Sequence, residues 1–159
     1  MDRLLKLLEQ DGRLSLEQLA VMLDTDEETV AARMDALAQA GIIMGYQAII
    51  NWEKTDHDLV TSIIELKVTP KRDHGFDEIA EAIAQLPEVD SVFLMSGGYD
   101  LAITVHGKTF KDVALFVAKR LSTMESVLST GTHFVLKKYK DRGIIFDNSI
   151  QDEREMANL

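Results

Sequence analysis

Near the N-terminus, apolar residues recur at helical spacing. Leu4, Leu5, Leu7 and Leu8 lead into Asp11-Gly12, which stops a first short helix. Ser15-Leu16-Glu17-Gln18 has the form of a capping box, with the Ser hydroxyl accepting from the third helical N–H and the Gln reaching back. Leu16, Leu19, Ala20 and Leu23 then stripe a second helix. Thr25-Asp26-Glu27-Glu28 offers another box, and Val30, Met34, Leu37 and Ala38 carry a third helix to Gly41. Three helices of roughly 8, 8 and 14 residues with short turns predict a helix-turn-helix module. Ile42 to Trp52 is rich in β-branched and aromatic residues and predicts an extended segment. Glu53 to Asp58 is polar and reads as a linker or turn.

Past this point the period changes. Leu59 to Thr69 alternates, with Val60, Ser62, Ile64, Leu66 and Val68 on one face and Thr61, Ile63, Glu65, Lys67 and Thr69 on the other. A turn spans residues 70–75. Phe76, Ile79, Ala80, Ile83 and Ala84 mark a helix ending before Pro87. Val89 to Ser96 is a strand, Gly97-Gly98 a tight turn and Leu101 to His106 the hairpin partner. A helix opens at Thr109-Phe110-Lys111-Asp112, and a last strand runs from Thr130 to Lys140. The order β-α-β-β-α-β predicts an α+β chain: an N-terminal helix-turn-helix (winged-helix-like) module, then a ferredoxin-like domain with both helices on one face of a sheet. The opposite face carries Ile63, Phe93, Met95 and Val135, too apolar for solvent, and so predicts dimerisation through the sheet, with a long loop or the N-terminal domain as the other possible cover. The domains expected are a helical module over 1–46, an extended linker over 47–58, a ferredoxin-like dimerisation domain over 59–140 and a tail over 141–159. Within that tail, residues 151–159 would fray or form a short terminal helix.

Composition narrows the classes. A chain of 159 residues without cysteine has no disulfides, thiol chemistry or cysteine-ligated metal. With no long apolar span or signal peptide, a cytoplasmic protein is the default and no membrane partner is expected. The net charge of −10 works against a polyanionic partner. No P-loop, nucleophile elbow or dinucleotide fingerprint is present, and His57, His74, His106 and His133 lack metal-ligand spacing. No cofactor, metal or catalytic residue is therefore expected.

Three stretches in the right order resemble one family. Leu8-Glu9-Gln10-Asp11-Gly12-Arg13-Leu14-Ser15 is similar to its first-helix ending. Thr29-Val30-Ala31-Ala32-Arg33-Met34, with Leu37 and Gly41-Ile42-Ile43-Met44-Gly45-Tyr46, is similar to its recognition helix and exit. Ser96-Gly97-Gly98-Tyr99-Asp100 is similar to its Gly-x-Tyr/Phe-Asp turn. The chain thus resembles the Lrp/AsnC (leucine-responsive, feast/famine) transcription regulators over nearly its whole length. The resemblance implies a sequence-specific regulator that binds operator DNA through the N-terminal module. It implies dimers through the C-terminal sheets, with tetramers or octamers beyond, and an amino acid sensed at contacts between dimers.

The chemistry can be placed on residues. A recognition helix must bring donors to base edges and basic groups to phosphates. The third helix offers Thr29, Ala32 and Arg33, with Glu28 able to accept from a cytosine amino group and Arg13 nearby in sequence. Yet residues 1–54 hold five basic and ten acidic residues, a formal charge of −5, so phosphate affinity must come from several modules held together. For an effector, Gly97 and Gly98 let backbone N–H groups approach a carboxylate, and Asp100 can accept from an ammonium group. Tyr99 belongs to the same turn. Thr132, His133 and Phe134 match the family's effector-responsive stretch by the resemblance, and His133 adds a side chain that titrates near neutrality. Gly98 departs from the family's pattern, in which an acidic residue is common there.

Two other functions remain open on sequence. One is an interaction or effector-binding module without DNA affinity. The other is a tetrapyrrole decarboxylase, because some haem-pathway enzymes resemble this architecture; His106, His133 and Arg120 would then converge. Lys137-Lys138-Tyr139-Lys140 with Arg142 is the most basic stretch, readable as a DNA-facing patch or a solvated strand end.

Overall fold

The computed structural model describes residues 2–56, 59–70 and 75–146. The chain divides into two compact units, Met1–Ile50 and Asn51–Leu159.

The first unit holds helices α1 (Arg3–Gln10), α2 (Leu16–Leu23) and α3 (Glu27–Gln39). Each has a side-chain cap that satisfies an otherwise orphaned N–H. Asp2 accepts from the Leu4 N–H at 2.9 Å. Ser15 and Gln18 form the expected reciprocal box. The second box is displaced by one residue: Asp26, not Thr25, caps α3, its Oδ1 accepting from the Thr29 N–H at 2.7 Å and its Oδ2 from the Thr29 hydroxyl at 2.8 Å. A threonine at the third helical position can donate twice to a carboxylate, which favours that register. Helix α2 ends on Asp24 in the left-handed region (φ 57°), and Gly41 (φ 68°) follows α3. The apolar stripes meet in a small core of Leu4, Leu8, Leu19, Ala20 and Val30.

The segment expected to be extended pairs with no strand. Residues 42–50 belong to no helix or strand ladder, and Ile42, Met44, Tyr46, Ile49 and Ile50 are exposed. A strand needs an edge to pair with, and the described part of this unit contains none. The polar stretch after it holds one 3₁₀ turn, Trp52–Lys54.

In the second unit, β1 (Val60–Val68), β2 (Val89–Leu94), β3 (Leu101–Gly107) and β4 (Val127–Phe134) form an antiparallel sheet in the order β2-β3-β1-β4. Helices α4 (Asp77–Ala84) and α5 (Phe110–Phe116) connect them, and a π turn, Val117–Leu121, extends α5. This is the ferredoxin-like arrangement. The alternation in β1 is as expected: Ser62, Ile64, Leu66 and Val68 are buried while Ile63 and Lys67 are exposed. Ile64, Leu66, Leu101, Ile103 and Val105 pack with Ile79, Ile83, Val113, Phe116 and Leu121 of the helical layer.

Three sequence expectations shift here. The link from β2 to β3 is a six-residue loop, Met95 to Asp100, rather than a two-residue turn. The last strand starts earlier and stops at Phe134, so Val135 lies just beyond it and half-buried, although its N–H still donates to the Thr61 carbonyl. Residues from Lys140 form a small hairpin, β5 (Lys140–Asp141) with β6 (Ile144–Ile145), turning through Arg142 (φ 45°) and Gly143 (φ 83°). The basic stretch is partly committed to it. Lys138 pairs with Asp141 at 2.9 Å and lies over the Phe146 ring, and Lys137 lies over Tyr139. The expected turn over 71–74, His57, His74 and the tail 151–159 fall outside the described residues.

Ile83 and Leu19 are both fully buried, one in each core. Ile83→Ala and Leu19→Ala should each cost about 2–5 kcal/mol, read from urea unfolding.

Candidate DNA-binding and ligand-binding surfaces

Helix α3 buries Val30 and half-buries Met34 and Leu37 against α1 and α2, so the opposite side is presented outward. That side carries Glu28, Thr29, Ala32 and Arg33, all exposed and at neighbouring helical positions. Arg13 stands in the turn between α1 and α2, where its N–H donates to Asp11. Two of these residues already have partners within the chain. Arg33 donates to Asp2 Oδ1 at 2.9 Å, the same oxygen that caps α1, so one carboxylate ties α3 to the start of α1. The Thr29 hydroxyl is held by Asp26. The Asp2–Arg33 pair was not anticipated, although an aspartate directly before the first apolar run is a recognisable cap signal.

Thr29 holds the Asp26 carboxyl below its ordinary value of 3.8, first through its backbone N–H and then through its hydroxyl; slight desolvation opposes this.

In the second unit, the expected effector residues occupy two regions. The loop between β2 and β3 is pinned at Asp100. Its N–H donates to the Leu66 carbonyl at 2.9 Å, its carbonyl accepts from Met95, and its Oδ2 accepts from the Val68 N–H at 2.9 Å. One oxygen of the carboxylate expected to receive a ligand's ammonium group therefore fastens the loop to the end of β1. Tyr99 is half-buried, while Gly97 and Gly98 are exposed. Neither glycine has a left-handed φ, and a Cβ on either would meet nothing within 4 Å. Nothing within the described chain requires glycine at these two positions.

Thr132, His133 and Phe134 alternate across the sheet. His133 pairs in register with Ile63 and shares the open face, its Nε2 3.4 Å from Glu65 Oε2. Gly131, opposite Glu65, lies beside that pair. Thr132 pairs with Ile64 on the helix side, and Phe134 meets Phe110 edge-on with centroids 4.8 Å apart. The three residues do not converge in one protomer. The triad considered for a tetrapyrrole is also divided: His106 and Arg120 line one cleft, and His133 is not part of its lining. Among the described residues, no group of three His, Asp or Glu side chains is arranged to hold a metal ion, and no helix is long and apolar enough to cross a membrane.

Comparison with known proteins bears on these surfaces. The AsnC-type helix-turn-helix domain matches residues 2–38, and the Lrp/AsnC ligand binding domain matches residues 61–145. The chain belongs to the Lrp/AsnC family. It is 46% identical over 152 residues to the HTH-type transcriptional regulator YugG of Bacillus subtilis, covering 95% of this chain and 92% of that one. Its fold is shared by AsnC of E. coli (TM-score 0.69, 23% identity, 91% of this chain and 97% of that one). The fold is shared also by a Neisseria meningitidis transcriptional regulator solved in complex with L-Met (TM-score 0.71, 23% identity, 89% and 93%).

As an Lrp/AsnC protein the chain is a transcriptional regulator with a helix-turn-helix DNA-binding module and a ligand-binding domain. The first match covers α1 to α3 except the last residue of α3, and the second runs through the terminal hairpin. Of the residues that carry the resemblance, those from Leu8 to Leu37 lie in the first matched domain and those from Ser96 to Asp100 in the second, while Gly41 to Tyr46 falls between the two.

Two outcomes follow from the local geometry. Asp100→Ala leaves the Val68 N–H without its acceptor and removes one of the loop's two ties to β1, the backbone bond to Leu66 remaining; stability should fall by about 1–3 kcal/mol in urea unfolding, with Asp100→Asn recovering part of the loss. The folded Asp26 carboxyl titrates below 3.8, so its cap on α3 is intact above that pH. The cap's contribution is lost as pH falls through the lowered value. A carbon-detected NMR titration of Asp26 should place its midpoint under 3.8, and Thr29→Val should move it upward.

Proposed function

We propose that this regulator works as a homodimer closed through its open sheet faces, reading operator DNA with paired copies of α3 and sensing an amino acid. The supporting observation is the uncovered face of the four-stranded sheet. Ile63 and Phe93 are both more than 40% exposed there, with Ile63 in the second-unit strand that lies between β3 and β4, and Met95, just past the end of β2, is exposed as well. Both helices lie on the other side, and an apolar sheet face that a chain leaves bare is the face a second copy covers. Tetramers or octamers would build on that dimer.

In this reading Arg33, Thr29, Ala32 and Glu28 face the bases and Arg13 approaches the backbone. Ala32 is small enough for the helix to sit close to the groove. Arg33 must exchange Asp2 for DNA, which costs little because surface ion pairs contribute only about 0.2–1 kcal/mol. The acidic module gains affinity by being held in pairs: two weak readers on one scaffold act at high effective concentration.

The amino acid is assigned to the exposed backbone at Gly97 and Gly98, with Tyr99 beside it and Asp100 fixing the loop's position. His133, Thr132 and Phe134 of β4 complete the responsive region. Because these residues do not converge in one protomer, the site is assembled between subunits. The regulator solved with L-Met supports an amino acid as the ligand class. The protein is thus a cytoplasmic, non-enzymatic regulator.

Selection of operator DNA from genomic fragments with the full-length protein, followed by anisotropy titration and light scattering, tests this. Phe93→Glu should yield a folded monomer whose operator affinity falls at least tenfold. Gly98→Ala should leave stability unchanged or slightly higher yet blunt the response to the amino acid. Enrichment of no sequence would favour an interaction module over a DNA reader, and a compact monomeric wild type would end the proposal.

A further inference from the structure

A second cleft, away from the loop at Gly97–Asp100, lies between the start of β2, the end of β3 and α5 with its π turn. Its volume is about 450 Å³, enough for a small metabolite. At its wall is Glu88, whose Oε2 is buried without a hydrogen-bond partner; among the described residues it is the one buried side-chain oxygen or nitrogen in that condition. A buried acceptor with nothing to accept from costs the free protein stability, and a donor brought by a ligand would remove that cost.

The charges around Glu88 are not symmetric. Lys108, Lys119 and Arg120 line the same cleft and are exposed, so they form a cationic rim. Asp112 also lines it, but its carboxylate accepts from the Thr109 N–H at 2.9 Å and the Thr109 hydroxyl at 2.8 Å, which commits it to the cap of α5. His106 is engaged elsewhere, its Nδ1 3.1 Å from the Thr61 hydroxyl oxygen and its Nε2 3.8 Å from Asp90. Val105, Val113 and Phe116 give the cleft a buried apolar wall, and Leu115 stands half in solvent beside them.

These features select a ligand class. A simple anion would meet the rim but leave the Glu88 oxygen unpaired and repelled. A simple cation would satisfy Glu88 but face three positive side chains on the way in. A divalent metal would find one uncommitted carboxylate. A small zwitterion fits both ends: an ammonium group donates inward to Glu88, and a carboxylate lies outward among Lys108, Lys119 and Arg120. An apolar side chain would rest on Val105, Val113 and Phe116. Lys119 and Arg120 are carried by a π turn, a distortion that is frequent at functional sites.

We infer that this cleft is a second small-molecule site, binding an α-amino acid or a close zwitterionic analogue, separate from the region at Gly97–Asp100 and on one protomer alone. The inference does not depend on where the first effector binds.

The test uses the full-length protein and the twenty standard α-amino acids, titrated singly by calorimetry into wild type, Glu88→Gln, Leu115→Trp and His133→Ala. At least one amino acid should bind wild type and His133→Ala equally. Its affinity should fall at least tenfold in Glu88→Gln, which removes the charge, and in Leu115→Trp, which fills the cleft from the solvent side. The N-acetyl derivative and the methyl ester of that amino acid should each lose at least tenfold. In parallel, Glu88→Leu should raise the melting temperature of the ligand-free protein, because it removes an unsatisfied buried oxygen. If no amino acid of the twenty shows a binding event that is kept in His133→Ala and lost in both Glu88→Gln and Leu115→Trp, the proposal is overturned. A lower melting temperature for Glu88→Leu does so too, since the carboxylate would then be held by its own chain.

Discussion

A four-stranded sheet has two faces, and this chain supplies helices for one. On the covered face, Ile64, Leu66, Leu101, Ile103 and Val105 are buried against α4, α5 and the π turn. On the other, Ile63 and Phe93 meet solvent within the strands. Burial of apolar area is the dominant favourable term in folding and in association alike. The same alternation of side chains that closes the core of one protomer therefore leaves bare the surface that the proposed dimer would cover.

The helical unit depends on economical use of carboxylates. Asp2 caps α1 and holds Arg33; Asp26 caps α3 and holds Thr29 twice. The acidic excess of this unit is thus partly structural, for capping carboxylates at helix N-termini are favoured by the orphaned N–H groups and by the helix dipole. The same placement tethers residues of the outward face of α3 while no DNA is present.

Much of the architecture was legible from periodicity. All three N-terminal helices, the capping box at Ser15 and the alternation in β1 rest on short-range rules, and they lie where the pattern puts them. The misses came from interactions beyond that range. The loop from Met95 to Asp100 is longer than a Gly-Gly turn because Asp100 bonds to β1, a strand more than thirty residues upstream. Residues 42–50 have strand composition without a pairing edge, and composition cannot reveal a missing partner. Of the candidate site, the outward residues of α3 could be read from helical spacing, whereas the Arg33–Asp2 tie joins positions 31 apart and leaves no local trace. Glu88 gave no signal either: a lone glutamate after a proline becomes notable only once its oxygen is seen buried and unmatched.

Strand β4 sets His133 on the outer face beside Glu65 and Phe134 on the inner face against Phe110. Because successive side chains point to opposite sides, sliding this strand by a single residue would drive the imidazole into the hydrocarbon interior and eject the phenyl ring. Such slippage is forbidden by its energetic cost. Any signal passing along β4 must travel as a tilt or translation of the intact strand, and the edge-on Phe110–Phe134 contact makes α5 the first helix to feel it.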